Sequence, residues 1–147
     1  MADISGNGVV VRIFASVTFP IGFELTSYSD DADPFDIPSI KVRDHAMTMS
    51  GRMISWLSPT AIAETFSVVP GTKDDENLSN LLEANRFGYQ KIPANDVITI
   101  SKVYPDGTTV TLQNGVITDG MPARSVNSNG RYKTNSYMFA FENQSRS

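Results

Sequence analysis

Cysteine is absent from the 147-residue chain, and histidine occurs once, at position 45. Without cysteine, the chain can form neither a disulfide, nor a thiolate metal site, nor a cysteine nucleophile. His45 follows Asp44 in a strand-like stretch, where neighbouring side chains point to opposite faces, and no motif supplies a catalytic partner. We therefore predict that the protein is not an enzyme and that it has no catalytic residues, no cofactor and no metal site.

Basic clusters and long apolar runs are also missing. Twelve Lys and Arg residues stand against sixteen Asp and Glu, the net charge is -4, and the basic residues form no stripe. This distribution lacks the electrostatic footprint of a nucleic-acid-binding protein. No apolar run approaches the length of a membrane span, and the first residues show neither the basic nor the apolar region of a secretory signal. We expect a cytosolic product that does not insert into membranes.

Short β-like segments separated by turns make up most of the sequence. Ile98 and Ile100 alternate with polar residues, residues 105–107 (Pro-Asp-Gly) form a turn, and Val110 and Leu112 resume the alternation. The length suits a single domain covering residues 1–147, with 143–147 as a flexible tail. The sequence therefore predicts a mainly β fold, in which two packed antiparallel sheets of a sandwich or barrel are flanked by one α-helix.

One helix is predicted at residues 74–86. Thr72 or Asp74 can cap its first turn, and acidic residues in that turn suit the helix dipole. Leu78, Leu81 and Leu82 fall on one face. We predict that this leucine face packs on a sheet as part of the core.

The segment at residues 29–39 is the clearest long loop, because aspartates and prolines surround a single phenylalanine. Its acidic and aromatic residues are Asp30, Asp31, Asp33, Phe35 and Asp36. The spacing lacks the central glycine and closing glutamate of an EF-hand, so a solvated turn is favoured over a calcium site. A loop of this length usually has a partner, and Phe35 offers an apolar anchor for one.

Several stretches resemble the small tail-tube and tube-like baseplate proteins of contractile-tailed bacteriophages. They are residues 66–72 (Phe-Ser-Val-Val-Pro-Gly-Thr), the leucine-bearing helix, residues 104–110 (Tyr-Pro-Asp-Gly-Thr-Thr-Val) and residues 114–117 (Asn-Gly-Val-Ile). The similarity lies in the order of strand, capped helix, strand hairpin and long final strand. It covers about two thirds of the chain and includes no catalytic signature.

The resemblance implies that six copies close into a ring and that rings stack into the inner tube of the tail. Residues 28–50 then match the extended loop or hairpin that reaches the next ring, with the aspartates and Phe35 of the long loop as inter-ring contacts. The implied partners are further copies of the chain, the tail sheath and the baseplate hub, while DNA passes through the tube without specific binding. The implied location is the virion tail, assembled in the host cytoplasm.

Two alternatives remain open at this stage. A tube-initiator ring that joins the baseplate hub to the tube would show the same sequence features. A monomeric β-sandwich recognition module, for example one that binds carbohydrate through polar loops, belongs to a different functional class. Aromatic residues exposed on loops would favour the recognition module.

Overall fold

The computed structural model describes residues 8–28 and 33–147. Its elements are, in chain order, β1 (Val10–Ala15), β2 (Phe19–Leu25), β3 (Phe35–Asp36), β4 (Arg43–Met47), β5 (Met53–Leu57), β6 (Ile62–Val68), α1 (Lys73–Asn85), β7 (Ile98–Val103), β8 (Thr109–Asp119) and β9 (Asn135–Arg146).

Seven of these strands form one antiparallel sheet, in the order β2-β1-β7-β8-β9-β6-β3. Strands β4 and β5 form a separate two-stranded sheet. Strands β7, β8 and β9 lie between β1 and β6 in the sheet, yet buried side chains from β1 and β6 share one core. The large sheet therefore curls around that core. The predicted class, mainly β with one helix, is confirmed, with one large curled sheet and one small sheet.

Alternation of buried and exposed side chains along the strands produces the core. On β9, Tyr137, Phe139 and Phe141 face inward and are almost completely buried, whereas Met138 faces outward. Strand β9 lies between β8 and β6 and pairs with β8 as far as Arg146. Residues 143–146, which we expected to form a flexible tail, therefore continue an interior strand of the sheet.

The helix is observed at Lys73–Asn85, one residue earlier at each end than predicted. Thr72 is its N-cap, with the Asp75 amide donating to Thr72 Oγ1 over 3.4 Å. Leu78 and Leu81 are fully buried, and Leu82 is partly buried against the same core. The leucine face thus lies on the concave side of the curled sheet.

Asp96, just before β7, connects the start of this strand to two other parts of the chain. Its Oδ1 accepts hydrogen bonds from the amides of Val17 (2.7 Å) and Thr18 (2.9 Å) in the β1–β2 turn. The Asn85 side-chain amide, at the end of the helix, donates to Asp96 Oδ2 over 2.8 Å. This buried carboxylate holds the turn and the helix end in place.

The region before β6 differs from the sequence-based expectation. Residues 29–32 lie outside the described residues, but the predicted loop contains strand β3, in which Phe35 pairs with Phe66 and Asp36 with Thr65. The segment that the resemblance matched to an extended loop or hairpin, residues 28–50, contains β4, which forms a hairpin with β5. Its turn closes through a Thr48 amide to Arg52 carbonyl bond of 2.8 Å, and Gly51 supplies the required positive φ of 87°.

Candidate assembly surface

The β4–β5 hairpin extends away from the large sheet. Neither of its strands pairs with that sheet or packs extensively against another described element. Its exposed apolar side chains are Val42, Met47, Met49, Met53, Ile54, Trp56 and Leu57. They lie on both faces, since Met47 is registered with Met53 and Ala46 with Ile54. A two-stranded hairpin is marginally stable on its own in water, and a contiguous exposed apolar surface of this kind marks a candidate interaction site.

The hairpin also differs from the rest of the chain in net charge. Residues 41–57 contain three basic side chains, Lys41, Arg43 and Arg52, and one acidic side chain, Asp44, which gives a net charge of +2. The remaining residues contain nine basic and fifteen acidic side chains, a net charge of -6. Because opposite charges attract, the hairpin is electrostatically suited to an acidic surface.

Both ends of the large sheet present open edges. Among the described residues, strand β2 has a partner on one side only, and Ile21 on it is strongly exposed. At the other end, β3 covers β6 opposite Thr65 and Phe66, while the Ile62–Glu64 stretch has no described neighbour on that side. Unpaired strand edges are competent to pair with another chain.

The predicted contact residues of the long loop have different positions in the structure. Phe35 is partly buried in its own chain, with its ring centroid 6.0 Å from that of Tyr28 and 6.3 Å from that of Phe66. Its register opposite Phe66 places the ring against the core, so it is not available as a free anchor for a neighbour. Asp33 and Asp36 are exposed, whereas Asp30 and Asp31 lie outside the described residues.

The single histidine is exposed on β4, where it is registered with Ser55. In the described part of the chain, no group of three His, Cys, Asp or Glu side chains is arranged to hold a metal ion. Among residues 8–28 and 33–147, no helix combines the length and apolar character needed to cross a bilayer.

A polar cleft of about 290 Å³ lies between the start of α1 and residues 121–124. Asp75 lines it and accepts hydrogen bonds from the Gly71 amide (3.0 Å), the Asn135 side-chain amide (2.6 Å) and the Tyr137 hydroxyl (2.9 Å). Burial and Asp75 raise the pKa of Tyr137, which keeps its hydroxyl protonated as a donor. Because three donors already occupy the Asp75 carboxylate, its role is to hold the helix on the sheet.

Lys102 on β7 and Glu64 on β6 form an ion pair inside the curled sheet, and both side chains are fully buried. Strands β8 and β9 separate β6 from β7, so the pair crosses the interior and does not follow a strand ladder. Burial raises the pKa of the Glu64 carboxyl to about 7, an effect that the nearby Lys102 ammonium opposes only in part. Burial likewise lowers the pKa of Lys102.

This pair was not predicted from the sequence, although a signal was present. Lys102 continues the inward-facing series of Ile98 and Ile100, and Glu64 precedes Phe66 by two residues on the inward face of β6. A basic and an acidic residue at inward positions of two strands indicate a buried pair, but only the fold shows that they meet.

A family model described as "Tail fiber protein gp32" matches residues 2–145. The chain belongs to this family. No curated protein matches the sequence. Membership of the tail fiber protein gp32 family supports a structural, tail-associated role and a location in the phage tail.

Solved structures with the same fold come from contractile injection systems. A chain of the anti-feeding prophage tube-terminating cap matches with a TM-score of 0.55 and 12% identity, over 100% of this chain and 92% of the other. A chain of the PVC sheath/tube terminator matches with a TM-score of 0.58 and 12% identity, over 100% and 98%. A chain of the six-fold symmetrised anti-feeding prophage baseplate matches with a TM-score of 0.55 and 10% identity, over 100% and 96%. At these identities the similarity establishes the fold.

Proposed function

We propose that the protein is a non-enzymatic structural subunit that forms six-fold rings, and that these rings stack into the inner tube of a contractile phage tail. The observation that carries the proposal is the β4–β5 hairpin, which exposes methionines and a tryptophan and has no partner within the described part of its own chain.

A second copy of the chain is the partner that fits the hairpin best. The hairpin carries +2 and the rest of each copy carries -6, so contact between the hairpin and a neighbouring body brings opposite charges together. Methionine side chains adapt to uneven surfaces, and Trp56 supplies a large contact area. In the proposed tube, this hairpin takes the inter-ring role that the sequence suggested for residues 28–50.

Ring closure follows from the open sheet edges. Pairing of β2 of one copy with the free part of β6 in the next is a head-to-tail contact, which leaves no exposed edge once the ring closes. Six copies are the number that the resemblance to tail-tube proteins implies. The closed ring then surrounds a passage for DNA. The subunits carry a net negative charge, which repels the DNA phosphates and limits non-specific binding.

The proposed partners outside the ring are the tail sheath and the baseplate hub, with assembly taking place in the host cytoplasm. A single ring at one end of the tube is the second candidate. It is favoured by the similar folds in a tube-terminating cap, a sheath/tube terminator and a baseplate. Long tubes in concentrated protein would support the repeating subunit, and rings that do not stack would support the single-ring candidate.

The experiment compares wild type with a Met47→Ser/Met53→Ser variant, which removes one exposed cross-strand pair. We expect electron microscopy and light scattering over a range of concentrations to show rings or tubes for wild type and separate rings or monomers for the variant. Ile92→Ser, which removes an exposed apolar side chain outside the hairpin, is the matched control and should assemble normally.

Raised salt should weaken wild-type stacking if the charge contrast contributes to it. Normal tubes from the double variant would exclude the hairpin as the connector. A wild-type protein that stays monomeric at every concentration, and does not join purified tails, would instead favour the carbohydrate-binding or similar recognition module.

A further inference from the structure

The buried Lys102–Glu64 pair has the arrangement needed for a covalent bond between side chains. We propose that Lys102 Nζ and Glu64 Cδ condense to an isopeptide bond that links β7 to β6 within one chain. The proposal concerns the folded subunit and does not depend on ring formation.

The two reacting groups are in contact and sealed from solvent. Lys102 Nζ touches Glu64 Oε1, and both side chains have no exposed surface. In the described part of the chain, no other group forms a hydrogen bond with the Lys102 ammonium or with either Glu64 oxygen. Among the described residues, the amine and the carboxyl group therefore have no oppositely charged partner other than each other, which holds them together as reactants.

Aromatic side chains form the surroundings of the pair. The Phe35 ring centroid lies 4.6 Å from Lys102 Nζ. Phe139 is the cross-strand neighbour of Glu64, and its ring meets that of Phe66 edge-on at 5.8 Å. These walls exclude water, which would otherwise solvate both charges and stabilise the unreactive ionised forms.

A dry interior favours the neutral forms that the reaction requires. Two buried charges lose their hydration, so transfer of a proton from the ammonium to the carboxylate relieves a desolvation cost. Burial acts in this direction on both groups, raising the pKa of Glu64 to about 7 and lowering that of Lys102. A neutral lysine amine is a nucleophile, whereas an ammonium is not.

The reaction balances without a cofactor or an oxidant. The nitrogen lone pair of the Lys102 amine attacks Cδ of the protonated Glu64 carboxyl group, and a C–N bond forms. The C–O bond to the hydroxyl breaks, and the hydroxyl leaves with one amine proton as water. The product is a neutral amide, which removes both buried charges.

The bond would join strands that are not neighbours in the sheet. Two strands, β8 and β9, lie between β6 and β7, so the link would close the curl across its interior. It would also enclose the helix in a covalent loop from Glu64 to Lys102, which restricts the unfolded chain. Opening of the curled sheet would then require a covalent bond to break.

Another lysine and glutamate in the same chain provide an internal control. Lys91 Nζ lies 3.0 Å from Glu83 Oε1, but both side chains are accessible to solvent. Water stabilises the charged forms there, so we expect no condensation. One sample thus contains a lysine–glutamate pair that is close but exposed and another that is close and buried, and the two can be compared directly.

The test is mass spectrometry of the purified full chain under denaturing conditions. We expect an intact mass lower than the sequence mass by one water molecule, and a protease digest in which the Lys102 peptide is joined to the Glu64 peptide. The peptides of Lys91 and Glu83 should not be joined. Lys102→Met leaves a glutamate that can be buried in its neutral form, and it should show the full mass.

Fragment mapping decides the result, because succinimide formation at Asp106-Gly107 or Asp119-Gly120 also removes one water molecule. A water loss located at those sites would overturn the proposal, as would a wild-type chain of full mass with separate peptides after prolonged incubation in the folded state. Should Lys102→Met fail to fold, the wild-type digest alone gives the answer.

Discussion

The curled sheet and the β4–β5 hairpin place their apolar side chains in opposite environments. In the sheet, residues such as Phe139 and Leu81 are buried and touch other core residues. In the hairpin, Met49 is fully exposed and Trp56 is close to half exposed. One region gains its stability within the chain, whereas the other leaves its apolar side chains available for the assembly contact that we propose.

We therefore expect folding and assembly to depend on different regions of this small protein. A change in the core should alter the free energy of unfolding, and a change in the hairpin should alter association with little effect on that free energy. The predictions below test this separation, in order of decreasing effect on stability.

Leu81→Ala should have the largest effect, lowering the free energy of unfolding by about 2–5 kcal/mol, because Leu81 is completely buried between α1 and the sheet. Chemical denaturation of the monomer measures this loss. Glu83→Ala is the control on the same helix, since Glu83 is exposed and pairs with Arg86 and Lys91 only at the surface. Equal losses for the two variants would show that α1 does not pack by its leucine face.

Asp96→Asn should have an intermediate effect, a loss of about 1–3 kcal/mol, because the charged carboxylate accepts hydrogen bonds from Val17, Thr18 and Asn85. Burial alone would raise the pKa of Asp96, but hydrogen bonds from Thr18, Asn85 and Val17 lower it below its usual 3.8. A lowered folded-state pKa means that the carboxylate stabilises the fold above pH 3.8, and that this contribution disappears as the pH falls through the folded-state value.

The stability difference between wild type and Asp96→Asn should therefore be largest near neutral pH and shrink in acid. Denaturation curves for both proteins at a series of pH values provide the check. A difference that stays constant down to strongly acidic pH, or grows there, would contradict the role given to this carboxylate.

Met49→Ser should have the smallest effect, a change of less than about 0.5 kcal/mol, because this side chain touches little of its own chain. Thermal unfolding of the monomer should therefore match that of wild type, while self-association should weaken. A clear loss of monomer stability would mean that the hairpin packs on the body before assembly, and the contrast between the two regions would fail.

Local sequence patterns were sufficient for the elements whose side chains alternate or repeat regularly. The leucine face of the helix, the β7–β8 hairpin with its Pro-Asp-Gly turn, and the inward aromatic residues of β9 follow from spacing alone. The mainly β class follows from these elements, because strands that alternate apolar and polar residues pair into a sheet whose apolar face is buried in a core.

Features that depend on distant residues were not predictable in this way. The Glu64–Lys102 pair and the Asp96 hydrogen bonds join residues far apart in sequence, and single charged residues within strands resemble ordinary surface positions. Phe35 was placed in a loop because aspartates and prolines surround it, but its contacts with Tyr28 and Phe66 outweigh that local preference.

The position of β9 in the interior of the sheet has a consequence for biosynthesis. The ribosome makes β9 after every other described strand, yet β9 is the strand that joins β8 to β6. Until it emerges, β6 and β3 cannot connect with the β2-β1-β7-β8 half of the sheet, and the core aromatics of β9 are absent. A nascent chain therefore lacks the complete sheet, and the proposed pairing of its two edges with other copies has to wait until β9 is in place.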